Sequence, residues 1–460
     1  DARSAAGTVG GGGRAGGAAG GGAAGTGGHA TGGAGSGGTA GNGGHAGGAG
    51  GTAPCAHELD NPSCWSSFDL TRATQITQAF FGAIFDGRYV IYVNGTTASP
   101  DEQVRYDTQA SFTAGASYTT FNTLSGGISV GFRGGAFDGR YIYFTPTLPE
   151  NNGTSGLNYD AIAGRFDTQA ATFGTSSGWA QFNLTRASGT ADLTVPGFRG
   201  AAFDGRYLYF APGYLGNPSA SNGVTPSGHV ARYDTQASFT AAASWTSFDV
   251  STVDAAAAGF SGVVFDGRYL IFVPNALTNA RAARYDTQAA FTSAGSWSVF
   301  EVTSLNPAAN GFTGGVFDGR YVYLVPASAI FDSPTVIARY DTQASFTTAA
   351  SWSTFDTIAL ATSATWEYEG GAFDGRYVYF VPSRGDPFLR YDTQGDFTAA
   401  GSWKTVRLFD AAPAANVNGY SGAAFDGRYL YLVPNGLDDA LRFDAKTPPA
   451  VPASYKGSFY

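Results

Sequence analysis

Short apolar runs broken by Asp-Gly dominate this chain beyond residue 64, and they recur at a regular interval. In one copy, Gly371 to Phe373 is small and apolar, Asp374-Gly375 interrupts, Arg376 to Val381 is β-branched and aromatic, and Pro382 follows. Glycine accepts positive φ without steric cost, so Asp-Gly between two such runs predicts a tight hairpin. Val, Tyr and Phe suit a pleated, half-buried strand, and proline, which lacks an N–H, ends it. Leu389 to Asp392 and Trp403 to Arg407 read as a third and a fourth strand. One unit therefore predicts four short antiparallel strands.

The unit repeats seven times. Phe-Asp-Gly-Arg-Tyr begins at Phe85, Phe137, Phe203, Phe265, Phe317, Phe373 and Phe425, with spacings of 52, 66, 62, 52, 56 and 52. Arg-Tyr/Phe-Asp-Thr-Gln follows from Arg105, Arg165, Arg232, Arg284, Arg339 and Arg390, and degenerates in the copy at Arg442. An aromatic comes 13 or 14 positions later, as Tyr118, Trp179, Trp245, Trp297, Trp352, Trp403 and Tyr455. Four strands every ~50 residues, seven times over, predict an all-β fold: a seven-bladed β-propeller of four-stranded blades across residues 80–460. A linear solenoid would need distinct polar caps, which the sequence does not show. The repeat resembles secreted β-propellers in general, with kelch and WD40 proteins as architectural relatives. Their own signatures are absent, so the resemblance implies architecture over about residues 64–460 and carries no ligand or activity.

There is one strand more than the blades need. Cys64 to Leu70, before the first unit, matches the fourth-strand pattern of Trp352 to Asp356. The expectation is that this N-terminal copy completes the last blade, residues 54–79 forming a disulfide loop and a ring-closing strand. The C-terminal copy, Ser454 to Tyr460 with Tyr455 and Phe459, is then either a tail on the outer edge or a strand donated to a neighbouring molecule.

Composition adds a second material. Of 67 glycines, 25 lie in residues 1–53. There glycine recurs every third position, at Gly7, Gly10, Gly13 and Gly16, again at Gly22, Gly25 and Gly28, and after a register shift at Gly32, Gly35, Gly38, Gly41, Gly44, Gly47 and Gly50. A three-residue period fits a polyproline-II-type helix, whose glycine stripe lets another backbone approach closely. The arm resembles collagen-like and polyglycine-II sequence, but has no proline before Pro54. One isolated strand is therefore a flexible tether, whereas bundled copies would satisfy its backbone groups over roughly 140 Å. The assembly reading is the one adopted. His29 and His45 read as surface decoration.

The formal net charge of −9 argues against nucleic acid, which needs a basic face. No apolar run approaches the ~18 residues of a transmembrane helix. The start at Asp1 and the absence of Met suggest that a cleaved export signal preceded it, and so an extracellular or cell-surface location. In that setting Cys55 and Cys64, nine positions apart, are expected to pair in a disulfide. With only His57 nearby, no metal site is expected, and no cofactor. Asn94, Asn152 and Asn183 fit the Asn-x-Thr acceptor pattern, though Asn-Gly turns explain the first two equally well.

Strand alternation puts the second-to-third and fourth-to-first loops on one face. An aromatic precedes each inner strand there, as Phe80, Phe132, Phe198, Phe260, Phe312, Tyr368 and Tyr420, and reads as a packing ring. The next position varies from blade to blade: Phe81, Arg133, Arg199, Ser261, Thr313, Glu369 and Ser421. The last six are the candidate ligand-binding residues, at the mouth of the central channel. Blades two and three add the longest second-to-third loops, 145–164 and 211–230, so an anionic or polyhydroxylated ligand is expected there. The competing reading is that Arg133 and Arg199 only balance Glu367 and Glu369. The seven-fold Asp-Gly-Arg-Tyr and Arg-Tyr-Asp residues are expected to make turns and arginine–carboxylate bridges between neighbours.

The body has two histidines, His57 and His229, and no nucleophile elbow, metal-spaced cluster or phosphate loop, so the chain is expected not to be an enzyme. The functional expectation is an exported structural or adhesive subunit. Its arm bundles with other copies, as in a filament core, and displays the propeller. The alternative is a carbohydrate-binding, lectin-type propeller on a flexible tether.

Overall fold

The computed structural model describes residues 55–445, apart from 75–77, 96–100, 129–130, 147–160, 171, 185–195, 216–224, 276–279, 328–335, 361–366, 385–386, 418 and 437–438. The glycine arm, with Gly32, Gly35, Gly38, Gly41, Gly44, Gly47 and Gly50, lies outside the described residues, as do Tyr455, Phe459, His29, His45 and Asn152. The chain divides into two units, residues 1–51 and 52–460. No helix among the described residues is long and apolar enough to cross a membrane.

The larger unit is a β-propeller. Blades 1 to 6 are the antiparallel four-strand sets within residues 78–122, 132–183, 196–249, 260–301, 312–356 and 368–407. In blade 6 the strands are Tyr368–Phe373, Tyr377–Pro382, Pro387–Asp392 and Trp403–Arg407. The first strands of successive blades touch in a closed cycle, that of the seventh meeting that of the first. The Asp-Gly turn forms as expected. Asp374 Oδ1 accepts from the N–H groups of Arg376 and Tyr377, at 2.8 and 2.7 Å, while Gly375 sits at φ +105°.

Blade 7 takes Tyr420–Phe425, Tyr429–Gly436 and Ala440–Asp444 from the C-terminal end. Its fourth strand is Trp65–Phe68, paired Trp65 to Phe443 through Phe68 to Ala440. The N-terminal copy therefore closes the ring. The Cys55–Cys64 disulfide is present beside it.

The core lies between blades. One buried cluster joins Ile271 and Val273 of blade 4 to Leu324, Tyr340 and Trp352 of blade 5, and the other six join neighbouring blades in the same way. The fourth-strand aromatics stack from blade to blade, Phe300 on Trp352 at 4.8 Å and Phe355 on Trp403 at 4.4 Å.

Two expectations are corrected here, and one open alternative is decided. The arginine–carboxylate bridges run within each blade and not between neighbours. Arg88 reaches Asp107 bidentately across the second and third strands of blade 1, and every blade repeats this. The reason is register: Tyr89, next to Arg88, lies opposite Asp107. Between blades the arginine contact is a ring face instead, as where Arg232 lies 4.4 Å from the centroid of Phe291. The 211–230 stretch is not all loop, because Tyr207–Leu215 continues the second strand and Thr225–Pro226 pairs with it. Asn94 is fully buried, so its side-chain amide is closed to a glycan.

Candidate functional site

The ring of aromatics is buried as expected: Phe80, Phe132, Phe198, Phe260, Phe312, Tyr368 and Tyr420 are each 0–1% exposed. In every blade the pairing of the first two strands slips just after this aromatic, between Phe80 and Gly82 in blade 1 and between Tyr368 and Gly371 in blade 6. A bulge re-aims the side chain it carries. The bulge position is the blade-variable one, so the irregularity that breaks each ladder also presents the site.

Glycine follows at all seven bulges. The inner strands pass close to one another here, and a Cβ on Gly370 would lie 2.9 Å from Gly422 Cα of the next blade. Only glycine permits that spacing, which keeps the bulge residues of different blades close around one axis.

Arg133, Arg199, Ser261, Thr313, Glu369 and Ser421, from blades 2 to 7, line a single cavity with Phe81 of blade 1. Its empty volume is about 570 Å³, open mouth included. Arg133 Nη2 lies 3.3 Å from Glu369 Oε1, joining blades 2 and 6 across the mouth. The Arg133 guanidinium also sits 4.8 Å from the Phe81 centroid. Arg199 lies 5.2 Å from the Tyr214 ring, and Tyr214 is held by donating its hydroxyl to Asn275 Oδ1. Thr313 Oγ1 donates to the Tyr368 carbonyl at 2.9 Å, and buried Ser261 Oγ donates to the Val273 carbonyl at 3.3 Å. Ser421 is also buried, and its Oγ has no hydrogen-bond partner among the described residues.

The competing reading of the arginines holds for Arg133 with Glu369, whereas Glu367 turns to Arg384 at 3.5 Å. Of the two long loops, 145–164 lies mostly outside the described residues. Sequence reasoning left out Phe81, although its aligned position was the available signal, and Tyr214 and Asn275, for which no repeat pattern gave one.

A second cluster, Cys55, His57 and Asp444, brings three potential metal ligands within 4.8 Å. Cys55 is bonded to Cys64, so the paired form offers only His57 and Asp444. His57 Nδ1 lies 2.8 Å from the Asp444 carbonyl, which ties the N-terminal segment to blade 7. His229 Nε2 lies 3.7 Å from Asp249 Oδ2, and Ser251 Oγ donates to the same carboxylate at 2.7 Å.

Fold and mouth together define a β-propeller with a polar channel site. No protein-family model matches the chain, and no curated protein matches it. Among solved structures it is similar to a catalytically inactive virginiamycin B lyase from Staphylococcus aureus, with quinupristin, at 14% identity and TM-score 0.49, covering 83% of this chain and 98% of that one. It is also similar to a β-propeller domain from Myceliophteria thermophila, at 10% identity and TM-score 0.48, covering 80% and 98%. A third is BamB from Moraxella catarrhalis, at 10% identity and TM-score 0.39, covering 80% and 85%.

The expectation that the chain is not an enzyme is corrected by this comparison, because a lyase stands among the similar structures. That expectation rested on missing contiguous motifs. A propeller mouth gathers side chains from blades some 50 residues apart, so its chemistry leaves no contiguous motif to miss. At these identities and TM-scores the likenesses carry no activity over to this chain.

Proposed function

We propose that this chain is an exported display subunit whose propeller binds a polar, glycan-type ligand at the channel mouth. The observation that carries the reading is the division of labour between repeated and varied residues. The repeated ones are spent on turns, stacks and ion pairs, while the varied ones converge on one cavity. Concave sites with a few convergent polar groups and an apolar wall are where small ligands bind. A glycan array followed by calorimetry on the full chain tests this. Binding that weakens at least about tenfold in Thr313→Val or Arg199→Met supports it, since a lost charged or hydrogen-bonded contact has that effect. An array without a single binder sinks it.

The three-residue glycine period supports a second part of the proposal, association of the arm with other copies. Sedimentation of the full chain against a variant lacking residues 1–53 checks it. The expected outcome is assembly in the first and monomer in the second. Unchanged oligomeric state would return the arm to a tether.

A further inference from the structure

We propose that the ligand of the channel mouth is an acid sugar, whose carboxylate takes Arg133 and Arg199 by displacing Glu369. This rests on the mouth being a binding site, as argued above, and adds the ligand's chemistry and the gate it must pass.

The chain as a whole is acidic, with a formal net charge of −9. The cavity lining is the reverse. Among the described residues it carries Arg133, Arg199 and Glu369 and no other charged residue, a net of +1 from two arginines less one glutamate. A single ligand negative charge would balance it, whereas a dianionic phosphate would overshoot.

The mouth already holds one carboxylate, and it is the protein's own. Glu369 reaches Arg133 by one contact of 3.3 Å. Structural pairs of the same molecule are tighter: Arg88 holds Asp107 bidentately, at 2.7 and 3.2 Å. Strong guanidinium–carboxylate bonds run at about 2.7–2.9 Å. Glu369 is therefore a loosely held internal ligand on an arginine whose other face is backed by Phe81. A better-placed carboxylate replaces it without leaving the guanidinium unpaired.

The remaining lining suits hydroxyl groups. Ser421 is 4% exposed, with its Oγ lacking a partner among the described residues, so it adds a polar but enclosed hydroxyl to the wall. Thr313 and Ser261 offer further oxygens, and the wall at Phe81 offers an apolar face for sugar C–H groups. The mouth is open to solvent, so a saccharide unit need only present its edge to these groups.

Calorimetry on the full chain with matched pairs, galacturonate against galactose and glucuronate against glucose, with acetate as the bare carboxylate, tests the proposal. The expected result is that at least one acid sugar binds roughly tenfold or more tighter than its neutral partner and than acetate, as a charge-assisted contact implies. The preference shrinks as salt rises from about 50 to about 500 mM. Arg133→Met and Arg199→Met each abolish it. Glu369→Gln, which frees Arg133, strengthens acid-sugar binding severalfold and leaves neutral sugar unchanged. That gain cannot come from misfolding. Equal affinity within both pairs, or unaltered or weakened acid-sugar binding in Glu369→Gln, overturns the acid-sugar inference while the mouth remains a sugar site. No binding by any sugar of either pair overturns this inference; the broader reading then stands or falls on the array.

Discussion

Arg339 lies 4.2 Å from the ring centroid of Tyr321 in its own blade and 4.2 Å from that of Phe397 in the next. The guanidinium is thus a flat plate between two rings, and its charge is met by their quadrupoles. Arg339→Met keeps much of the apolar stem and loses the cation; urea unfolding should show a loss of roughly 1–2 kcal/mol. Asp101 is a different case. It is fully buried, its carboxylate accepting from Thr123 Oγ1 at 2.8 Å and the Gly131 N–H at 3.0 Å, and burial pushes its pKa up to about 7. The folded state therefore holds a proton that the unfolded chain has released above about pH 4, so this stabilisation is complete at low pH and lost as pH rises through 7. Burial also raises the turn carboxyls Asp86, Asp266 and Asp374, and this adds a loss of the same sign. Stability should fall by roughly 2 kcal/mol between about pH 5 and pH 8. Asp101→Asn should flatten most of that slope, and equal slopes in the two proteins would show the carboxyl to be irrelevant.

The ring-closing strand reproduces the chemistry of the strand it stands in for. In blades 2 to 6 the fourth-strand Trp donates its indole N–H to the carbonyl of a Phe six positions earlier, as Trp403 does to Phe397 at 3.0 Å. Trp65 does the same to Leu59 at 2.9 Å. Phe68 then stacks on Tyr118 of blade 1 at 4.1 Å, as Phe355 does on Trp403. Where blade 6 would find the phenylalanine of the next blade over Arg390, it finds the N-terminal segment instead, with Glu58 3.6 Å from Arg390 and the His57 carbonyl accepting from it. Trp65→Ala should destabilise the propeller by roughly 3–5 kcal/mol. Replacing Cys55 and Cys64 with serine should cost roughly 2–3 kcal/mol by loosening the same segment, read as a lower urea midpoint. At the axis, Gly370 combines a φ of +73° with the close approach to Gly422. Gly370→Ala should cost more than about 1 kcal/mol, because strain and steric overlap act together.

Closure makes the propeller depend on its ends. Its last blade is built from residues 65–68 and 420–444, so the ring forms only when both ends of this unit have been placed. Non-local pairing of this kind couples blades that otherwise touch only neighbours. Removing residues 55–70 should broaden the thermal transition and lower its midpoint. Removing residues 1–53 should leave the midpoint unchanged, since the disulfide and the closing strand lie beyond it.

Blade boundaries, turns and strand order were legible in the sequence, because an Asp-Gly turn and a β-branched run state their conformation locally and do so seven times. That the blade-variable column beside a constant aromatic lines one cavity was legible too. What that column touches was not. The 3.3 Å contact of Arg133 with Glu369 joins residues 236 positions apart, and it exists only because seven glycine-lined inner strands meet at one axis. The same holds for the arginines that bridge within a blade. Local sequence sets the shape of each unit through backbone sterics. Partners across the ring are chosen by register and by closure of the whole sheet set, which no single repeat contains.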